Sequence, residues 1–408
     1  MPKIKPFKGV RASKEIATHL ISRSYQDYKR KELKSTLKYN PFSFLHILNP
    51  GYKFNHESTG NERFQLVRNR YLEFKEDQFL KSESVPSFYL YKCTENGHEY
   101  VGIIAAASTN DYNNNVIKKH ENTLKVRETL FKEYLKTVGF NAEPVLITYP
   151  DQQDIDDIVS RIKQREPEYH FKTTDRNEHK VWIIDDAKDC DKIEQSFAAL
   201  PHLYIADGHH RSASSYLLSQ DLGSKHDSYN YFMSFLIPES QLQIFEFNRL
   251  VTDLNDLTKE NFLMKLDQHF RIQNRGKEMY KPSKKHHFSM YLDGEFYSLY
   301  WRKQVMTIDS PLDDLDTQML YDYLLQPILD IKDPRNDRRL SYNYGKDALL
   351  NMKEQVDNNE YAVGFGLFPA TVEQIKKIAD ADLVMPPKST YIKPKLPSGL
   401  LIYEFENE

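Results

Sequence analysis

The chain has 408 residues, 39% hydrophobic and 28% charged, with 56 basic against 59 acidic residues and a formal net charge of -3. That length suffices for two or three domains or one large elaborated one, and the near balance of charge gives no electrostatic reason to expect nonspecific nucleic-acid binding, which needs a basic face. The only cysteines, Cys93 and Cys190, are far apart and outside any Cys-x-x-Cys or Cys/His ligand pattern, which argues against structural zinc and a disulfide framework and fits a reducing cytoplasm.

The opening Met1-Pro2-Lys3-Ile4-Lys5-Pro6-Phe7 lacks an apolar leader core, and no later run approaches bilayer-spanning length, so a cytoplasmic protein without a membrane partner is expected. From Ser13 to about Leu37 the pattern is helix-compatible and stops before Asn40-Pro41. Phe42 to Leu48 reads as a strand ended by Asn49-Pro50-Gly51. A helix is predicted from Asn61 to about Lys81, with Phe64, Val67, Tyr71, Leu72 and Phe79 at helical spacing. Ser87–Cys93 and Glu99–Ala107 form a predicted hairpin, with Asn96-Gly97 as the turn signal. After Lys118-Lys119-His120-Glu121 a helix is predicted to about Lys136. Then come a strand at Val145–Tyr149, a helix at Ile155–Arg165, a strand at Lys180–Asp185, a helix at Ile193–Leu200, and a strand and helix within Leu203–Gln220. Beyond Asp221 the reading gives a strand at Tyr231–Ile237, an edge strand at Phe245–Arg249 and a helix at Phe262–Phe270. A second hairpin spans His287–Arg302 around Asp293-Gly294, followed by a helix at Thr317–Leu329, a strand at Ala362–Leu367 and a helix at Val372–Ala379. This alternation of periods points to an α+β (mixed α/β) fold. A soft boundary near Gly223 divides it into regions 1–223 and 224–408.

The most informative stretch is Leu203 to Leu218, a buried strand running through Asp207-Gly208-His209-His210-Arg211-Ser212 into a helix. A helix start leaves its first N–H groups without intrahelical acceptors and carries the positive end of the macrodipole, so it favours a phosphate or carboxylate. Gly208 permits a tight turn and close ligand approach. Arg211 can add a bidentate fork, and Asp207 supplies either a helix cap or a carboxylate beside the bound group. Two histidines and an arginine in one first turn imply an anion to compensate them.

Two further places collect phosphate-compatible groups. Lys119 and His120 precede Glu121 ahead of a predicted helix, where Glu121 could equally serve the helix dipole alone. Lys388, Ser389 and Thr390 follow the stiff pair Pro386-Pro387 and can all donate hydrogen bonds to phosphate, although such a triplet also occurs in plain loops. No Gly-x-Gly-x-x-Gly and no P-loop is present, so a nucleotide would bind by another design.

Several segments together carry a resemblance: Pro6-Phe7-Lys8-Gly9-Val10-Arg11, Asn40 to His46, Ile117 to Glu121, Ala206 to Arg211, and Met385 to Tyr391. In this order the chain resembles the domain-of-unknown-function 1015 family, described as ParB-like or SpoOJ-like, from Pro6 to Leu400. The resemblance implies a ParB/sulfiredoxin-like nucleotide-binding core in 1–223. It also implies a second α+β region in 224–408 whose tail returns to the site. Relatives implied are CTP-hydrolysing partition proteins, sulfiredoxins and kinases of free serine. His209 stands where sulfiredoxins carry cysteine, and the C-terminal half does not read as a basic helix-turn-helix module, which disfavours the first two. The Asp-Gly-His-x-Arg form is most similar to the free-serine kinases. It implies ATP or ADP, with CTP less favoured, and Mg2+. Glu121 and Asp207 are then the catalytic candidates, and Lys119, His120, Gly208, His209, His210, Arg211, Ser212, Lys388, Ser389 and Thr390 the phosphate-binding ones. The implied activity is phosphorylation of a small hydroxyl compound, free L-serine first. The alternative is a nucleotide-binding sensor or regulator without kinase activity. The implied partners are a nucleotide and a small acceptor, and a homo-oligomer is compatible with the sequence.

Overall fold

The computed structural model describes residues 1–25, 28–54, 56, 58–305, 307–345 and 347–406; residues 26–27, inside the first predicted helical span, lie outside the described residues. The chain is α+β. It folds as two compact units, one of Met1–Lys119, Thr123–Leu242 and Pro394–Glu408, the other of His120–Asn122 and Gln243–Lys393. Gly223, where the sequence suggested a boundary, falls inside the first unit, at the C-cap of the helix His209–Leu222.

The first unit contributes β1 (Ile4–Lys5), β2 (Gly9–Ala12), β3 (Leu80–Ser82), β4 (Phe88–Glu95), β5 (His98–Ser108), β6 (Ile117–Lys118), β7 (Phe140–Asn141), β8 (Val145–Tyr149), β9 (Tyr169–Lys172), β10 (Glu178–Ile184), β11 (Leu203–Asp207) and β12 (Tyr231–Pro238). Its main sheet runs β6-β11-β8-β12-β5-β4-β10-β9, with β1 paired to β5. The runs Tyr100–Ala107 and Tyr231–Ile237 are buried along their whole length because both faces of β5 and β12 are covered. The predicted β4–β5 hairpin forms, and Asn96 and Gly97 take the positive φ values (51° and 82°) that a two-residue turn of matching twist requires. The helix Gln153–Ile162 buries Ile155, Ile158 and Ile162 at helical spacing in the core built on this sheet. Phe42 to Leu48 is not a strand. Ser43 Oγ accepts from Leu45 N–H (3.3 Å), which starts the short helix Leu45–Leu48, and Phe44, Leu45 and Ile47 are buried at helical rather than alternating spacing. The helix predicted to reach Lys81 ends at Glu76 and gives way to β3.

The second unit is built on β13 (Gln243–Phe245), β14 (Phe247–Val251), β15 (Phe270–Gly276), β16 (His287–Leu292), β17 (Glu295–Trp301), β18 (Leu340–Tyr344), β19 (Val363–Gly366) and β20 (Tyr391–Lys393). Its larger sheet is ordered β15-β17-β16-β19-β14-β18, while β13 pairs with β20. The β16–β17 hairpin turns at Asp293 and Gly294 as predicted (φ 50° and 77°). The predicted edge strand Phe245–Arg249 is divided: Phe245 ends β13, which among the described residues pairs only with β20, whereas Phe247–Arg249 belong to β14, which lies between β18 and β19 and is buried throughout. Arg249 does not turn its charge to solvent. Instead the guanidinium is buried, donating to the carbonyls of Phe247 and Pro387 (the latter at 3.5 Å) with its carbon 5.2 Å from the centroid of the Tyr342 ring. The helix predicted to Phe270 ends at Asp267, so Phe270 opens β15. Beyond Leu320 the helix predicted from Thr317 continues only as a wider turn, Tyr321–Leu325.

Candidate functional site

β11 reaches its turn through an irregularity. It pairs in parallel with β6 and antiparallel with β8, and the register against β8 slips between Ile205 and Asp207. The bulge re-aims Asp207 where the strand ends. Gly208 follows at φ 103°, a conformation that other residues rarely adopt, and the helix His209–Leu222 begins at once. Its ladder opens with Ser212 N–H donating to Gly208 O at 3.0 Å, so the N–H groups of His209, His210 and Arg211 precede it. The helix packs against Lys125–Val138, and its buried residues are mostly small, Ser212, Ala213, Ser214, Ser215 and Ser219 among them. Ser212 is fully buried and its hydroxyl donates to His209 O (3.0 Å), which ties the first turn to itself.

Asp207 does not cap the helix. Its Oδ2 accepts from Arg211 (2.8 Å) and its Oδ1 from Lys395 Nζ (2.7 Å), with about a third of the side chain exposed (34%). Burial pushes this carboxyl up, but Lys395 and Arg211 outweigh that and hold it below the usual carboxylate range. Arg211 also donates to Pro144 O (2.7 Å) and lies 3.8 Å from Glu143. Its fork is therefore already oriented by Asp207 and by the residues leading into β8.

His209 is not one of the turn's cations. It is buried, and burial pushes its pKa down to about 4, with the neighbouring positive charges of Lys119 and Arg211 acting in the same direction. The positive charge at the turn comes from Arg211 and Lys395 instead. His179, buried between the rings of Tyr91 and Phe171 and hydrogen-bonded to Tyr91 Oη (2.8 Å), is likewise pushed down to about 4 by burial. An unfolded histidine titrates near 6.5, so between that value and 4 the unfolded chain binds protons that the folded chain excludes. Stability is full above this window and falls as pH drops through it. Each of these two histidines should cost about 2 kcal/mol of unfolding free energy between pH 7 and pH 5, a loss that urea titrations at the two pH values would read. Equal stability at both would contradict their neutral burial.

The remaining candidates divide between the units. Lys119 stays with the first, directly after β6; its Nζ reaches Tyr112 O (3.4 Å) and lies over the Tyr112 ring. His120 and Glu121 belong to the second unit, where His120 is buried and its carbonyl accepts from Met385 N–H (2.9 Å). The helix expected right after Glu121 begins only at Lys125, so Glu121 does not sit in its first turn. Lys388, Ser389 and Thr390 also lie in the second unit. Ser389 is buried and its hydroxyl donates to Pro386 O (2.7 Å) and meets Thr317 Oγ1 (2.9 Å), while Lys388 takes φ 56° and holds its Nζ 5.4 Å from the Phe247 ring centroid. The residue that bonds Asp207 from the far end of the chain is Lys395, between Pro394 and Pro397. Only those prolines marked that segment in the sequence.

A family model described as a protein of unknown function, DUF1015, matches residues 4–318. The chain belongs to the DUF1015 family. No curated protein matches it in sequence. Among solved structures, a free serine kinase in complex with AMP is similar at 12% identity over 73% of this chain and 92% of that one, with a TM-score of 0.34. SbnI with a C-terminal truncation, from Staphylococcus aureus, is similar at 12% identity over 71% and 82%, TM-score 0.38. A conserved hypothetical protein from Pyrococcus furiosus gives 13%, 73%, 93% and 0.35. At such scores the likeness assigns no activity to this member of the family. No helix among the described residues is long and apolar enough to cross a membrane.

Proposed function

We propose that this DUF1015 protein is a nucleotide-dependent phosphotransferase acting on a small hydroxyl compound, free L-serine first, built on a ParB/sulfiredoxin-like core. The observation that carries the reading is the turn itself: a bulged strand, a glycine at φ 103° and a helix start, with Arg211 and Lys395 converging on one carboxylate. Backbone N–H groups and two fixed cations at a glycine make a phosphate cradle. The motif resemblance to free-serine kinases supplies the substrate class.

The roles divide by charge. A general base works best with a pKa near the working pH, and Asp207 is held well below that by its two cations. It therefore anchors Arg211 and Lys395, and proton acceptance is assigned to Glu121, the other catalytic candidate that the motif resemblance implies. The acceptor hydroxyl oxygen forms a bond to the terminal phosphorus of ATP or ADP as the bond to the bridging oxygen breaks. The hydroxyl proton passes to the Glu121 carboxylate, and ADP or AMP leaves. Phosphoryl transfer of this kind employs Mg2+ to neutralise phosphate charge. Asp207 is already bonded by two cations and offers the ion no free carboxylate.

Incubation of the full chain with terminally labelled ATP or ADP and a panel of hydroxyl amino acids tests the reading. It expects transfer of label to one of them. Nucleotide binding without transfer to any acceptor would favour the sensor reading.

A further inference from the structure

The second unit contains an open groove of about 280 Å³ whose walls include Asn122, Asp333, Pro334, Arg335, Pro386 and Pro387. That volume lies just under the low end of ligand clefts, about 300 Å³, so the groove suits a molecule well below drug size. Its polar groups are of both signs. Arg335 is exposed and its guanidinium has no ion pair among the described residues, while Asp333 uses one oxygen for Arg335 N–H (2.9 Å) and the other for Asn336 Nδ2 (2.7 Å). Each carboxylate oxygen keeps further acceptor capacity. The hydrogen bonds to Asp333 hold its carboxyl below the usual range.

Both walls are fastened from behind. On one side Ser389 Oγ donates to Pro386 O (2.7 Å), the buried Arg249 donates to Pro387 O (3.5 Å), and Met385 N–H donates to His120 O (2.9 Å). On the other, Tyr342 Oη donates to Pro334 O (2.8 Å) and Tyr321 Oη to Lys332 O (2.8 Å). The Tyr342 ring also receives the Arg249 guanidinium, so one buried cation braces the two sides together. A charge buried this deeply without a carboxylate carries a desolvation cost, and its structural return here is a preformed groove. Asn122, which lines it, is the residue after Glu121.

We propose that this groove binds a small hydroxylated amino acid, with Arg335 on its carboxylate and Asp333 on its ammonium group. A site that offers one cation and one anion favours a zwitterion over a simple acid or amine, and the Asn122 amide next to Glu121 offers a hydrogen bond to the hydroxyl. The inference rests on the phosphotransferase reading for its link to Glu121, and it identifies where the acceptor is held.

The test is calorimetric titration of the full chain with L-serine, L-threonine and L-homoserine. Ethanolamine, which lacks the carboxylate, and glycolate, which lacks the ammonium group, serve as probes, and ATP and ADP are titrated in parallel. At least one of the three amino acids should bind wild type, Arg335→Ala should weaken it tenfold or more, and Asp333→Asn should weaken it similarly. Ethanolamine should be indifferent to Arg335→Ala and glycolate to Asp333→Asn, a pattern that misfolding would not produce. Absence of binding by all three amino acids, or binding untouched by Arg335→Ala, overturns the groove even if nucleotides bind. Failure of ATP and ADP to bind, with Arg335-dependent amino-acid binding intact, would instead overturn the phosphotransferase reading and leave the groove standing.

Discussion

Glu121→Gln should lower the rate of phosphoryl transfer by about 10²- to 10⁴-fold, the usual contribution of a positioned general base, with nucleotide affinity changed little. The amide keeps the size of the carboxylate and removes only its ability to take the hydroxyl proton. The cations that would hold phosphate, Arg211 and Lys395, are fixed by Asp207 and not by Glu121, so the loss should fall on kcat. Asp207 is the competing candidate. Two cations stabilise its ionised form, which makes it a weak proton acceptor at neutral pH. Single-turnover measurements on the two variants separate these roles: Asp207→Asn should weaken nucleotide binding, and Glu121→Gln should spare it. If Glu121→Gln turns over as wild type does, the proton goes elsewhere.

Gly208→Ala should raise the dissociation constant for ATP or ADP more than tenfold while leaving the chain folded. Two effects act together. At φ 103° a side chain is strained, at a cost of roughly 1–2 kcal/mol, and a Cβ built there would come within 3.1–3.2 Å of the Arg211 guanidinium, closer than ordinary contact. The guanidinium is a flexible end and yields by a few tenths of an ångström, so the fold survives. What suffers is the approach of a phosphate to the first N–H groups and the alignment of Arg211 with Asp207. Fluorescence or calorimetric titration beside a thermal melt checks both halves of the expectation, and an unchanged affinity would place the nucleotide elsewhere.

Much of the fold was legible because it depends on local rules. Asn96-Gly97 and Asp293-Gly294 announced two hairpins because few other pairs tolerate positive φ at both positions, and the runs of β5, β8 and β12 announced themselves as strands. The strand, turn and helix around Asp207 were legible for the same reason, since an abrupt Asp-Gly between apolar β11 and a small-residue helix has few other solutions. What sequence reasoning missed depends on distant contacts. Lys395 is 188 residues from Asp207, and no local pattern joins them. His209 was counted as a cation because burial is invisible in the residue string. Nothing in the residue string marked Arg249 as buried inside a sheet with two carbonyls and a ring as its partners. Phe42 to Leu48 was read as a strand from its apolar residues, when the short-range bond from Leu45 N–H to Ser43 set a helical turn.

Direct titration of wild type and Arg211→Ala with ATP, ADP and CTP tests the central claim, that the Asp207 turn is a nucleotide-phosphate site. Charge-assisted hydrogen bonds of the kind Arg211 would make are worth about 1.5–3 kcal/mol. Wild type should bind ATP or ADP, with CTP weaker, and Arg211→Ala should lose roughly ten- to a hundredfold in affinity. Equal affinity of wild type and Arg211→Ala for every nucleotide would contradict the account.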